Sequence, residues 1–315
     1  ALSMSTVMND KNSMAKIMNS IAILYYKTDR FDEALEYWLQ AFNIAKEFDD
    51  KLKISKYVNN IGIWYWKDQD YSRAIEYYEK SLAIKEELGD IRNFGKTLNN
   101  LGEVYYDMGD FKNAIAQFNE SIAIKEKLND KKGLNSTLYN LGEAQVFNEN
   151  YNLGLSSLRK SLGIATALNN IYQMSERYKA IGIAHYNMAV YDSAAFYLHK
   201  ADSIYVEVPV NRLTTLSWLA IITMKSGDES LADNYIKYFN ALINDHDPSN
   251  KDIISMNWNM YQVYLLKDDQ KSGQEYLENA YLELKTHSKN IKNKADRNQY
   301  LSVNLHRNIT NEWNK

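Results

Sequence analysis

A 40-residue internal repeat constrains this chain more than any other feature. Ile21-Ala22, Ile61-Gly62, Leu101-Gly102, Leu141-Gly142 and Ile181-Gly182 follow one another at that step without slippage. The same step carries Tyr25, Tyr65, Tyr105, Gln145 and His185, and also Phe31, Tyr71, Phe111, Tyr151 and Tyr191. Small residues keep it as well, at Ala34, Ala74, Ala114, Gly154 and Ala194 and at Ala41, Ser81, Ser121, Ser161 and Ala201. Five registers in phase describe a stack of like units that bury their apolar faces against one another.

Composition removes most alternatives. Twelve glycines and two prolines in 315 residues are too few for a turn-rich sandwich or barrel. The absence of cysteine excludes disulfide scaffolds, thiolate zinc sites and cysteine nucleophiles. At 45% hydrophobic residues the chain is too apolar for disorder. No run approaches the roughly 18 apolar residues of a membrane span, so membrane insertion is not expected. A net charge of −3 supplies no field to attract nucleic acid. No secretory leader pattern is present. The expectation is a cytoplasmic location, or a periplasmic one if a leader has been removed. The opening Ala1-Leu2-Ser3-Met4 reads as a sequence that continues upstream.

Each unit reads as two helices. In the third, helical spacing from Leu98 to Asp107 ends at Gly109-Asp110. A second helical pattern runs from Phe111 to about Leu128, with Ala114, Ile115, Phe118, Ile122 and Ile124 on its inner face. Gly102 and Ala114 fall where the two helices cross, because only a missing or one-carbon side chain permits close backbone approach. The segment Asn129-Asp130-Lys131-Lys132-Gly133 is expected to turn the chain into the next unit. Units start near residues 15, 55, 95, 135, 175, 213 and 254, the sixth after a shortened step and the seventh degenerate. Pro209 and Pro248 are placed in inter-repeat loops. The expected organisation is an extension over 1–14, the array over 15–290, and one capping helix over 291–315 bearing Tyr300, Leu301, Val303, Leu305, Ile309 and Trp313.

This pattern resembles the tetratricopeptide repeat, which the third unit matches through Leu101, Gly102, Tyr105, Ala114, Phe118 and Ser121. It departs from the family's 34-residue form in length, and Glu86 and Glu126 stand where that form has its terminal proline. The longer Asn-Leu-Gly type is similar to repeats of kinesin light chains and of bacterial signalling proteins. The ending from Ala295 to Trp313 resembles the closing helix of such modules. The resemblance implies an all-α solenoid, a right-handed superhelix of about seven helical hairpins with a C-terminal cap, whose concave groove binds protein.

No catalytic chemistry emerges beside it, and neither a metal nor a cofactor is expected; the chain reads as a non-enzyme. Gly89-Asp90-Ile91-Arg92-Asn93-Phe94-Gly95-Lys96-Thr97 superficially suggests a phosphate loop, but its glycines are one residue too far apart and no strand precedes it. In register it is a turn between repeats. His185, His199, His246, His287 and His306 lack paired ligand spacing, and His185 occupies the tyrosine register of a packing position. Asp49-Asp50 and Asp268-Asp269 read as turn residues. The basic run Lys285, His287, Lys289, Lys292, Lys294 and Arg297 reads as a solvated face.

What remains is the first helix of each unit. Its sixth position holds Asn60, Asn100 and Asn140, whose amides can both donate to and accept from an extended peptide backbone. This series resembles the asparagine ladder of the O-linked N-acetylglucosamine transferase superhelix. The same residues could instead bond neighbouring helices. The second and fifth positions add Lys56 and Lys96 with Asn59 and Asn99, a basic, amide-rich stripe suited to an acidic partner. Glu103 adds negative charge, and Trp66 and Tyr106 are candidate apolar anchors. The stripe is not the carboxylate clamp of chaperone-binding family members, since Ile23 and Asn100 occupy two of that clamp's positions. The leading expectation is a peptide-binding scaffold. The alternatives are a regulatory domain of a larger bacterial signalling protein (cyclase, kinase or transcription regulator) and a homodimer formed through terminal repeats bearing Trp218 and Trp258.

Overall fold

From Lys11 to Asn187, helices of 17 residues alternate with connections of three, so the chain turns every 20 residues there and the 40-residue repeat is two such steps. The computed structural model describes residues 11–205, 209–243 and 252–315. The 16 helices among the described residues fall into two units. Unit 1 comprises residues 1–130 with 290–297, and unit 2 comprises 131–289 with 298–315. The expected extension over 1–14 and Pro248 fall largely or wholly outside the described residues.

Unit 1 contains α1 (Lys11–Lys27), α2 (Phe31–Glu47), α3 (Lys51–Lys67), α4 (Tyr71–Glu87), α5 (Ile91–Asp107) and α6 (Phe111–Lys127). Every connection here uses one device. Asp29, Asp49, Gln69, Gly89 and Gly109 take positive φ, as do Asn129, Glu149, Asn169 and Ala189 further along. In each case that residue's N–H reaches back three residues and the next N–H reaches back five. For example, Gln69 bonds the Trp66 carbonyl at 3.1 Å and Asp70 bonds the Tyr65 carbonyl at 2.9 Å. This is the double closure of a left-handed helix C-terminus. The residue that completes it then caps the next helix: Asp50, Asp70, Asp90 and Asp110 accept from the N–H of Lys53, Arg73, Asn93 and Asn113. The inter-repeat turn is thus shorter than expected. Lys131, Lys132 and Gly133 are helical, as are Ile91–Thr97 of the apparent phosphate loop, because the three-residue closure already reverses the chain.

Packing within each hairpin follows the registers. A Cβ on Gly102 would lie 2.5 Å from the fully buried Phe118 ring, so only glycine lets α5 and α6 cross there. Tyr25 stacks on Tyr37 at 5.5 Å, and Tyr65 meets Tyr77 at 5.1 Å. The small-residue register also carries hydrogen bonds: buried Ser81 donates to the Ser55 carbonyl at 2.8 Å, and Ser121 to the Gly95 carbonyl at 2.7 Å. The 290–297 segment packs within this unit. Ile291 is fully buried, the Lys292 N–H bonds the Gln69 carbonyl at 3.3 Å, and the Asp296 carboxylate accepts from the N–H and hydroxyl of Ser72 at the start of α4.

Unit 2 contains α7 (Lys131–Phe147), α8 (Tyr151–Ala167), α9 (Ile171–Asn187), α10 (Tyr191–Tyr205), α11 (Pro209–Lys225), α12 (Glu229–Ile243), α13 (Ile253–Leu266) and most of α14 (Gln270–Asn290). Gly142 and Gly154 face each other across α7 and α8, where a Cβ on Gly154 would come within 2.9 Å of the Gly142 carbonyl. The degenerate repeats hold a large apolar core, including Leu213, Leu216, Ile221, Phe239, Met256 and Met260. Pro209 is the first residue of α11 rather than a loop residue, a position where its missing N–H leaves no helical bond unmade.

The C-terminal segment, expected as one helix, forms two: α15 (Lys294–Leu301) and α16 (Asn304–Trp313). Val303 is extended, at φ −59° and ψ 137°, and the Tyr300 carbonyl at that break accepts from the Val303 N–H at 3.3 Å and from the His306 ring at 2.7 Å. Trp313 stacks on Tyr281 at 4.8 Å, and the Tyr261 hydroxyl donates to Glu312.

Candidate functional site

The first helices of unit 1, α3 and α5, bring the predicted stripe together. A cavity of about 600 Å³ is lined by Lys56, Asn59, Asn60, Lys96, Asn99 and Asn100. The remaining lining includes Lys85 and Lys125 from α4 and α6, with Asp90, Asn93 and Thr97. Glu103, Trp66 and Tyr106 are not among the lining residues, and Asn140 lies on α7 of unit 2.

The asparagines are not equivalent. Asn60 donates its amide to Asn19 at 2.9 Å, joining α1 and α3, and its oxygen makes no further bond. Asn59 accepts from the Thr97 hydroxyl at 2.9 Å, which joins α3 to α5. Asn99 donates to Glu103 at 2.9 Å along its own helix. Asn100, half-buried on the cavity wall, makes no hydrogen bond within the described residues. Asparagine has mediocre helix propensity, and for Asn59 and half of Asn60 the inter-repeat bonds account for its presence.

The two predicted anchors are engaged in packing. The Trp66 indole donates to Asp107 at 2.9 Å in the next repeat, and Lys67 lies 5.2 Å from its ring. Tyr106 packs edge-on against Phe111 at 5.6 Å, as Tyr26 does against Phe31 one repeat pair earlier. Trp218 meets Tyr186 at 5.0 Å, and Trp258 meets Tyr261 at 5.3 Å. His185 is buried and lies flat on Tyr197 at 5.6 Å, the packing role its register predicted; burial holds its pKa below the usual imidazole value. Part of the basic run is engaged too, through Lys292 with Asp68 at 3.3 Å and Arg297 with the Ile291 carbonyl at 2.7 Å.

Sequence reading missed the lysines of the second helices. Lys85 and Lys125 are each 5% exposed, and burial lowers both to about 8. Their register holds Ala45, Ala165 and Tyr205 elsewhere, and two alanines at one register are the signal that its side chains point inward.

Unit 2 carries a different arrangement at matching positions. Lys179 lies 3.3 Å from Glu176 and 3.1 Å from Asp252. Burial pulls its ammonium down, but Asp252 and Glu176 outweigh it and hold the pKa above the usual lysine value. Tyr205 donates to Glu176, and Arg177 donates to Ser161 at 3.0 Å while lying 4.3 Å from the Tyr139 ring. Glu143 is pushed up to about 7 by burial, against the opposing pull of the Tyr139 hydroxyl and Lys179.

A tetratricopeptide-repeat family model matches residues 13–87 and 94–167, the stretch in which the 40-residue step is strictest. Over those two stretches the chain carries tetratricopeptide repeats. No curated protein matches the sequence. Among solved structures, apo RapI is 19% identical, with a TM-score of 0.61 over 77% of this chain and 87% of its own. A Rap protein complexed with competence and sporulation factor is 15% identical, with a TM-score of 0.60 over 96% and 98%. The tetratricopeptide-repeat-sensor STAND protein PH0952 of Pyrococcus horikoshii is 16% identical, with a TM-score of 0.69 over 86% of this chain and 42% of its own. These likenesses establish the solenoid fold of helical hairpins. Among the described residues no helix is long and apolar enough to cross a membrane.

Proposed function

We propose that unit 1 binds an extended peptide segment in the cavity between its first helices. The observation that carries this reading is Asn100: an amide on a cavity wall with one acceptor and two donors not engaged by the described protein. Asn60 keeps its oxygen available beside it. An extended peptide presents backbone N–H and C=O groups in alternation, which such amides can pair in either sense. The Rap protein complexed with competence and sporulation factor supports the reading by likeness of fold.

A second reading is that the scaffold is a sensory or regulatory domain of a larger bacterial signalling protein, favoured by the likeness to the sensor-bearing STAND protein. The same groove would serve it. Self-association through the terminal repeats is a separate question, decided by light scattering: a mass near 36.6 kDa at tens of micromolar chain rejects the homodimer.

The test compares captures from source-cell lysate by the wild type and by Asn60→Ala/Asn100→Ala/Asn140→Ala, after circular dichroism shows both folded. A peptide or protein lost only from the variant supports groove binding. Identical captures would reject it and leave the asparagines a packing role.

A further inference from the structure

The segment 290–297 is held in unit 1 by few contacts, and those contacts are selective. Between α14 and α15 the chain leaves the helix over 291–293. Ile291 is fully buried and Asp296 is 9% exposed, while the four residues between them are exposed. The Asp296 carboxylate accepts from the Ser72 N–H at 3.0 Å and from its hydroxyl at 2.8 Å. The Lys292 N–H bonds the Gln69 carbonyl, and its ammonium lies 3.3 Å from Asp68. These receiving residues depart from the repeat. Where this turn has Ser72, the matching turns have Asp32, Lys112, Asn152 and Asp192. Where it has Asp68, they have Thr28, Met108, Asn148 and Met188. Asp32 and Asp192 would repel a carboxylate, and none of the four offers an acid in place of Asp68. The seat is particular to one turn.

We propose that the turn between α3 and α4 is a docking site for a short linear motif, which 290–297 occupies as an intramolecular ligand and which a partner peptide of the same chemistry takes by displacing it. The motif is an apolar residue, a lysine directly after it, and a carboxylate five residues beyond the apolar one. The site stands apart from the proposed groove, because Asp68, Gln69 and Ser72 do not line that cavity. The spacing is fixed by its two buried ends. The carboxylate end meets an N–H and a hydroxyl in the first turn of a helix, where negative charge is favoured. The Lys292 pair with Asp68 is partly exposed and adds selectivity more than strength. Asp68 also lines a second cavity, of about 360 Å³, with Asp29, Asp32 and Glu33 against Arg30 and Lys67. That surplus of acids favours further basic residues within the motif, as Lys294 is in the chain's own segment.

The same contacts leave the segment releasable. Two anchors separated by four exposed residues enclose little surface. The Gln69 side-chain oxygen on one side and the Arg297 Nε on the other are buried without a hydrogen-bond partner among the described residues, a cost the docked state carries. Helix α4 does not depend on Asp296, because Asp70 caps it by accepting the Arg73 N–H at 3.1 Å. Sparsely held segments open at lower free energy than the helices they rest on. A tethered ligand acts at high effective concentration, so a partner's apparent affinity falls by the fraction of chains whose segment is undocked.

Native-state hydrogen exchange on the whole chain reads release without any substitution. The Lys292 amide should exchange at least about tenfold faster than the interior amides of α4. Ser72→Asp installs the residue that two matching turns already carry, and it suits a helix N-terminus. It should speed Lys292 exchange by about tenfold more and leave the α4 interior unchanged. A labelled peptide of residues 288–299 is then titrated by fluorescence anisotropy against the wild type and against Ile291→Ser/Asp296→Ala, whose site is vacated. Circular dichroism confirms that each variant folds. The vacated chain should bind at least about tenfold more tightly than the wild type. Binding should disappear when the vacated chain also carries Ser72→Asp, and should weaken at least about fivefold when the peptide carries Asp296→Asn. Exchange of Lys292 only together with the α4 interior would make the segment a fixed part of the fold and overturn the proposal. So would a vacated chain that binds no peptide, equal affinity for the wild type and the vacated chain, or binding that survives Ser72→Asp.

Discussion

The same register positions hold opposite electrostatic designs in the two units. At the fifth position of the first helix, unit 1 has Asn59 and Asn99 where unit 2 has Tyr139 and Lys179. On the second helix, Lys85 and Lys125 of unit 1 stand where unit 2 has Ala165 and Tyr205. In unit 2 the charges answer one another, with Lys179 between Glu176 and Asp252 and Tyr205 on Glu176. In unit 1 Lys85 meets only neutral oxygens. One repeat framework thus supports a self-satisfied polar cluster and an electrostatically incomplete one. The incomplete one is where a ligand has something to add.

The largest expected effect comes from removing the cation of the satisfied cluster. Lys179→Met would leave Glu176 and Glu143 without their buried counter-charge. The loss should be about 2–3 kcal/mol, below the value for a fully enclosed pair because Asp252 remains 40% exposed. Denaturant unfolding measures it. A midpoint unchanged by this substitution would mean the cluster contributes no net stability.

Next come two pH limbs of opposite slope. Glu143 is raised from 4.5 to about 7, so the native state holds its proton more tightly than the unfolded chain. Its contribution is complete below about pH 4.5 and is lost as pH rises through 7. Lys85 and Lys125 are lowered from 10.5 to about 8, so the unfolded chain binds their protons more tightly. Stability from these two therefore increases between about pH 8 and 10.5. Melting temperatures across pH 4–11 should show the first limb flattened by Glu143→Gln and the second by Lys85→Met/Lys125→Met. Either limb persisting in its variant would assign the slope to other groups.

Smaller again is Lys85→Met at neutral pH. Thr97 keeps its bonds to the Asn59 oxygen at 2.9 Å and the Asn93 carbonyl at 3.1 Å, so no buried acceptor is stranded. Replacing an unpaired buried cation with an apolar side chain of similar length should be neutral or stabilising by about 1 kcal/mol. A clear loss of stability would show that Lys85 is paired in solution, and the contrast between the units would disappear.

The repeat was legible because packing positions recur: Gly102 against Phe118 and Tyr65 against Tyr77 are contacts that any unit must remake. The turns were less legible. Asp29, Asp49, Gly89, Gly109, Asn129 and Asn169 are residues tolerant of positive φ, but Gln69, Glu149 and Ala189 at the same step hide the 20-residue period. Of the candidate site, the asparagine and lysine stripe of the first helices was readable from register. Which of its amides bond a neighbouring helix was not, because Asn60 and Asn100 share the same Asn-Asn-apolar-Gly pattern, and Asn19 accepts from Asn60 whereas Asn59, at the matching position, accepts from Thr97 and Lys85 instead. Lys85 and Lys125 escaped because charge suggests a surface, whereas the alanines of their register place them inside. Trp66 read as an apolar anchor because its bond to Asp107 joins residues 41 apart.

That difference between Asn60 and Asn100 supplies the smallest and most discriminating comparison. Asn60→Ala removes the inter-helix bond to Asn19, at a cost of about 1 kcal/mol, partly offset by alanine's better helix propensity. Asn100→Ala breaks no hydrogen bond within the described protein and gains the same propensity, so it should stabilise by about 0.5 kcal/mol. Paired urea titrations resolve a difference of that size when both variants share one slope. A stabilised Asn100→Ala that also loses peptide binding would separate the ligand's use of the amide from the fold's. Were Asn100→Ala destabilised as much as Asn60→Ala, Asn100 would be a packing residue, and the groove would have to bind through its lysines alone.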